Sequence, residues 1–94
     1  MAAYLVGTVS VRDPALWAEY VRGVAASLEP YAAEIVFRGR RAADLAGSQP
    51  RELAVVIRFA ALAELHAWHA SAAYQALVPL RDRAADVVIT AYEA

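Results

Sequence analysis

Residues 3 to 12 read AYLVGTVSVR, and this stretch decides the fold because its odd and even positions differ in kind. From residue 5 to residue 11 the odd positions are apolar or glycine, whereas the even positions of the stretch include tyrosine, threonine and serine. Successive side chains of a β-strand point to opposite faces of a sheet. The alternation therefore predicts a strand with one oily face and one amphiphilic face.

Residues 33 to 41, 52 to 60 and 87 to 92 continue the same alternation. The oily set contains Ile35, Phe37, Gly39, Leu53, Val55, Ile57, Phe59, Val87, Ile89 and Ala91. The amphiphilic set contains Val36, Arg38, Arg40, Ala54, Val56, Arg58, Val88, Thr90 and Tyr92. Four such segments predict a sheet whose oily face is covered by helices and whose amphiphilic face needs a partner or a ligand.

In the segments between these strands, apolar residues recur at helical spacing. Asp13 and Pro14 predict a helix start, with an N-cap acceptor followed by a ring that presets φ, and this helix is expected to end near Pro30. A second helix is predicted over residues 61 to 70. Ser71 offers a new N-cap for a further piece that Pro79 breaks. Residues 42 to 50 are predicted to be an exposed loop.

The order of these elements is β-α-β-β-α-β, which is the ferredoxin-like arrangement. We therefore expect a single α+β domain over residues 1–94, with a four-stranded antiparallel sheet and helices on one face.

Composition limits the classes of partner. The 94 residues carry a formal net charge of −1, which argues against nucleic acid as the main partner. Cysteine is absent, and no apolar run approaches the roughly 20 residues that span a bilayer. We expect a cytoplasmic protein without a membrane contact. Since 61% of the residues are apolar, a homodimer formed through the amphiphilic sheet face is expected to cover the excess apolar surface.

Three groups of side chains could carry chemistry. His66 and His69 lie three apart on the second helix, where the helical period places His69 inside the buried arc and His66 at its flank. A metal site would need further donors, so we predict no metal site here. His69 is then either a hydrogen-bonded histidine of the core or a proton-transfer group in a pocket. Arg38 and Arg58 are expected to share the amphiphilic face. They are anchors for an anion, partners of carboxylates in a second subunit, or rim residues whose charged ends reach water. The aromatic residues are expected either in the core or in the wall of a pocket.

The segment from Phe59 to Arg81 resembles the family known as domain of unknown function 1330. The matching positions in it are Phe59, Trp68, Ser71, Tyr74, Gln75 and Arg81, and upstream they are Tyr20, Pro30, Tyr31, Arg38 and Gly39. The chain departs from the family at His69, where an aromatic residue, commonly tyrosine, is usual, and at Ala32 and Ala33, which replace a Gly-Gly pair.

The resemblance implies a dimeric α+β barrel, in which two ferredoxin-like sheets pack face to face. Related proteins include cofactor-free oxygenases, isomerases and polyketide cyclases, so one hypothesis is a cofactor-free enzyme acting on an aromatic or polyketide-like molecule in a pocket between helices and sheet. We assign catalytic roles to His69, Tyr20 and Arg38, and substrate binding to Trp68, Tyr74, Arg81 and Tyr31. The alternatives are a non-catalytic ligand-binding module and a purely structural dimer. A titrating group in the pocket distinguishes the enzyme from the binding module.

Overall fold

The computed structural model describes all residues from 1 to 94 and contains four strands in one antiparallel sheet of order β2-β3-β1-β4. The elements are β1 (Ala3–Val11), α1 (Pro14–Leu28), β2 (Ala33–Arg40), β3 (Leu53–Phe59), α2 (Leu62–Ala70), α3 (Ala72–Gln75), α4 (Val78–Ala84) and β4 (Ala85–Glu93). This order confirms the predicted ferredoxin-like fold. No helix is long or apolar enough to cross a lipid bilayer.

The helix boundaries follow from local capping. Asp13 Oδ1 accepts hydrogen bonds from the backbone N–H groups of Ala15 (3.1 Å) and Leu16 (3.2 Å), which confirms the predicted N-cap of α1. Ser71 Oγ likewise accepts from the Tyr74 N–H at 3.2 Å and starts α3. Pro79 lies in the first turn of α4, where its missing N–H needs no partner. The proline predicted to break a helix therefore also belongs to the start of a new one.

The core lies between the oily face of the sheet and the helices. Its buried members come from β1 and β3 and from α1, α2 and α3, and they form one cluster around Trp68 and Tyr74. The cluster consists of Ala3, Leu5, Tyr20, Leu28, Ile57, Phe59, Leu65, Trp68 and Tyr74. Trp68 and Tyr74 have ring centroids 4.3 Å apart and are 1% and 0% exposed, so aromatic packing forms the centre of the helical layer.

A β-bulge in β2 changes which side chains face the helices. Ile35 is paired with Ile57, but Phe37 is paired with Val56 and Arg38 with Val55, so Val36 has no partner on β3. Residues directly opposite each other in an antiparallel pair share a face of the sheet. The prediction that Arg38 lies on the amphiphilic face and Phe37 on the oily face is therefore wrong. One extra residue in the strand reverses the alternation after Ile35.

The amphiphilic face is left uncovered in the isolated chain. The register aligns Phe37, Val56, Val6 and Thr90 in one row across the four strands, and Phe37 is 51% exposed. Val88 and Tyr92, on the same face of β4, are 43% and 54% exposed. This face is more apolar than the sequence predicted, because the bulge replaces a guanidinium with a phenyl ring.

Candidate functional site

An apolar cavity of about 250 Å³ lies between α1 and the oily face of the sheet. Fourteen of its 17 lining residues are hydrophobic. Its floor consists of strand residues, and its roof consists of Trp17, Tyr20, Val21 and Val24 from α1 together with Trp68 from α2. The volume is close to the lower end of the range of about 300–1,000 Å³ that is typical of small-molecule sites. The cavity therefore suits a compact apolar ligand.

Arg38 is the one charged residue that lines this cavity. The bulge in β2 places it there, opposite Val55 on the helix-facing side of the sheet. Its side chain has no hydrogen bond or ion pair within the chain, and the residue is exposed, so the guanidinium lies at the mouth rather than inside. Arg58, predicted to share a face with Arg38, is instead on the opposite face, in the row of Tyr4. The two arginines cannot serve the same site.

A hydrogen-bonded chain runs from the cavity wall through the core. Tyr20 Oη and Tyr74 Oη are 2.9 Å apart, and Arg81 Nη1 donates to Tyr74 Oη at 3.1 Å. Asp82 Oδ1 accepts from Arg81 Nε at 3.1 Å and completes the chain. The sequence predicted Tyr20, Tyr74 and Arg81 as separate site residues, and the structure joins them although 54 positions separate the two tyrosines.

The surroundings of the chain shift the pKa of two of its members, Tyr20 and Arg81. Burial raises the pKa of the Tyr20 hydroxyl well above its ordinary value of 10.0, and the hydrogen bond to Tyr74 raises it further. Burial alone would lower the pKa of the Arg81 guanidinium, but its hydrogen bonds to Tyr74 and Asp82 outweigh burial and raise it. Tyr20 therefore stays a neutral phenol over the physiological range. It can donate a hydrogen bond to a ligand, but it is a poor source of a phenolate base.

One donor in the chain is fixed by its chemistry. Arginine only donates, so the Tyr74 oxygen must accept from Arg81. In the hydrogen bond between Tyr20 and Tyr74, either hydroxyl can be the donor. Where Tyr74 donates, the hydrogen of Tyr20 is available to an oxygen bound in the cavity.

Trp68 and Tyr31 have structural partners. Trp68 Nε1 donates to Ser27 Oγ at 3.0 Å, and Ser27 Oγ donates to the Val24 carbonyl at 2.7 Å. Trp68 thus offers the cavity only its ring. Tyr31 Oη donates to the Ala67 carbonyl at 3.4 Å, and Tyr31 does not line the cavity. Ser27 is a partner that the sequence did not reveal, because a serine in a helix has no distinctive pattern before its neighbour on another helix is known.

The two histidines lie outside this cavity. His66 and His69 line a separate groove of about 340 Å³ between α2 and the edge strand β4, together with Arg81. Both residues are exposed, so the prediction that His69 falls inside the buried arc is wrong. The reason is that α2 ends at Ala70 and the chain turns into α3, whose Tyr74 ring occupies the space beside Trp68. The chain contains no cluster of three or more His, Cys, Asp or Glu side chains that could hold a metal ion.

Comparison with known proteins supports the fold and the family. A family model described as a domain of unknown function (DUF1330) matches residues 2–94. No curated protein matches the sequence significantly. Among solved structures, a protein of unknown function from Rhodopseudomonas palustris is 17% identical, with a TM-score of 0.83 over 99% of this chain and 82% of its own.

Two further structures cover almost the whole chain. SnoaB, a cofactor-independent oxygenase from Streptomyces nogalater, is 13% identical, with a TM-score of 0.69 over 99% of this chain and 92% of its own. A dimeric ferredoxin-like protein of unknown function from a Jannaschia species is 11% identical, with a TM-score of 0.73 over 100% of both chains. At these identities the likeness establishes the fold alone.

Proposed function

The chain belongs to the DUF1330 family, and we propose that its cavity binds a compact aromatic or polyketide-like molecule in anionic form, as an enolate or a phenolate. One observation carries the proposal: an apolar cavity has a single unpaired guanidinium, Arg38, at its mouth. An apolar wall favours the ring system, and a guanidinium favours an anionic oxygen over a neutral one. Tyr20 lines the same cavity as a neutral phenol and offers a hydroxyl to a polar atom of the ligand.

The enzymatic form of this proposal is a cofactor-free reaction that begins from the bound anion. Protonation of an enolate at carbon gives an isomerase, its attack on a carbonyl of the same molecule gives a cyclase, and its reaction with O₂ gives an oxygenase. All three need stabilisation of the anion first. The structural likeness to a cofactor-independent oxygenase supports this form of the proposal.

The non-catalytic form is favoured by a different observation. His69, the predicted proton-transfer group, lies in the groove and not in the cavity, while Tyr20 stays protonated because burial raises its pKa. The cavity therefore offers donors but no general base. A substrate would have to enter as its anion or ionise in the cavity without a protein base, and otherwise the protein is a ligand carrier.

The proposal is tested with 7-hydroxycoumarin, a compact ring system whose absorption distinguishes phenol from phenolate. We expect the bound dye to ionise at a lower pH than the free dye, since the Arg38 guanidinium stabilises the phenolate. Arg38→Gln should raise the ionisation midpoint of the bound dye, and Arg22→Gln, an exposed arginine on α1 that does not line the cavity, should leave it unchanged. A bound dye that ionises at a higher pH than the free dye would contradict the proposal.

We further propose that the chain forms a homodimer through the amphiphilic sheet face, as its exposed apolar row and the dimeric solved relatives suggest. Phe37→Asp places a carboxylate in that row, at a position that is exposed in the single chain, and should shift the protein to monomer in sedimentation. Leu45→Asp is the matched control, because Leu45 is 97% exposed in the loop before β3. Equal sedimentation of both variants as dimers would rule out this face.

A further inference from the structure

We propose that the groove between α2 and β4 is a second binding site, for a small organic oxyanion with a short apolar tail. Three nitrogen-bearing side chains line it, those of His66, His69 and Arg81, and none of its eight lining residues is acidic. This site is independent of the proposed function of the cavity, because its three nitrogen-bearing side chains do not line the cavity.

Arg81 supplies the main argument for a negatively charged head group. Its Nε is bonded to Asp82 and its Nη1 to Tyr74, but its Nη2 has no partner in the chain. The side chain is only 20% exposed. A partly buried guanidinium with an unused donor edge in a groove is a strong recognition element for carboxylate or phosphate oxygens.

The floor of the groove supplies the argument for an apolar tail. It consists of Leu5, Leu65, Val87, Ile89 and Ala91, all of which are aliphatic. An inorganic anion would leave this apolar surface exposed to water, whereas an alkyl chain of a few carbons would cover it. Each buried CH₂ group would strengthen binding by about 0.8 kcal/mol. The donors and the floor together fit an amphiphilic molecule with one charged end.

The groove and the cavity are adjacent compartments on the same sheet. They share Leu5, Val87 and Ile89 in their floors, and the Tyr20–Tyr74–Arg81 chain connects them, with Tyr20 in the cavity wall and Arg81 in the groove wall. Both compartments lie on the helix-facing side, opposite the proposed dimer face, so dimerisation leaves the groove accessible.

The site is tested by NMR titration of the labelled full chain with hexanoate, hexyl phosphate, hexanol and hexylammonium. We expect the two anions to shift the resonances of Ile89, Ala91 and His69, with the tighter of the two identifying the preferred head group. Hexanol and hexylammonium should bind at least tenfold more weakly, because a hydrogen bond to a charged group contributes about that factor.

Substitutions distinguish binding in the groove from binding in the cavity. Arg81→Met should weaken binding of the anion about tenfold. His69→Phe, at an exposed position where the ring can still pack on Tyr74, should weaken it severalfold without a risk to folding. Arg38→Gln should have no effect. The proposal is overturned if hexanol binds as well as hexanoate, if His69→Phe leaves the affinity unchanged, or if Arg38→Gln abolishes binding.

Discussion

The cavity under α1 and the groove beside β4 share part of their floor but differ in what surrounds it. The cavity is lined by aromatic and aliphatic side chains with one guanidinium at its mouth, whereas the groove has three nitrogen-bearing side chains along its walls. A ligand in the cavity would be held mainly by apolar contact and selected by one charge. A ligand in the groove would be held by its charge and only supported by apolar contact.

Tyr74 links Tyr20 of the cavity to Arg81 of the groove, and its removal should produce the largest effect on the molecule. The residue is 0% exposed, and its ring packs against Trp68, Tyr20 and His69. Tyr74→Ala should lower the free energy of unfolding by about 3–5 kcal/mol, as is typical of a buried aromatic residue. Chemical denaturation measures this change. A loss below about 1 kcal/mol would mean that the helical layer collapses into the gap and that Tyr74 does not hold it in place.

Removal of the Tyr74 hydroxyl alone tests the hydrogen-bonded chain without removing the ring. Tyr74→Phe leaves Tyr20 Oη and Arg81 Nη1 without their shared partner. We expect a loss of about 1–3 kcal/mol in the free energy of unfolding, the cost of a buried polar group that loses its hydrogen bond. Ser71→Ala is a useful comparison, because it removes a helix cap and a hydrogen bond to the Trp68 carbonyl without touching the chain, and it should cost about 1 kcal/mol.

Alkaline pH should destabilise the protein through Tyr20. Its pKa is raised in the folded state by burial and by Tyr74, so above about pH 10 the unfolded chain ionises while the folded chain does not. The contribution of Tyr20 to the free energy of unfolding is therefore fully present below the pKa that Tyr20 has in the unfolded chain. It falls as pH rises, by about 1.4 kcal/mol at pH 11. Tyr20→Phe should remove this part of the slope in denaturation curves measured from pH 8 to 11. An unchanged slope would place Tyr20 in water in the folded state.

The smallest effect is expected at the mouth of the cavity. Arg38→Gln should change the free energy of unfolding by no more than about 0.5 kcal/mol, because the side chain is exposed and unpaired. Arg81→Gln should cost clearly more, since it breaks two hydrogen bonds of a half-buried group. Thermal denaturation of the pair would sharpen the contrast between the two compartments, and equal losses would contradict it.

Much of the fold was predictable because its signals are local. The N-caps at Asp13 and Ser71 and the element order depend on residues within a few positions of each other, and the structure confirms them. The site was less predictable because its geometry is not local. The alternation of β2 could not reveal that Val36 lacks a partner, since a bulge depends on the neighbouring strand.

The helical layer shows the same limit. The period of α2 placed His69 toward the core, but Tyr74 takes that space after the chain turns at Ser71. The predicted single pocket is consequently two compartments, with Tyr20 and Arg38 in one and His69 and Arg81 in the other.

The bulge at Val36 also affects how the second strand should be compared among related chains. A relative whose second strand is one residue shorter and pairs regularly would still present its arginine to the cavity, because the bulge absorbs the additional residue. The alignment gap between two such chains then belongs opposite Val36. A gap placed at the carboxyl end of the strand would align that arginine with Phe37, assign it to the wrong side of the sheet and hide a shared ligand contact.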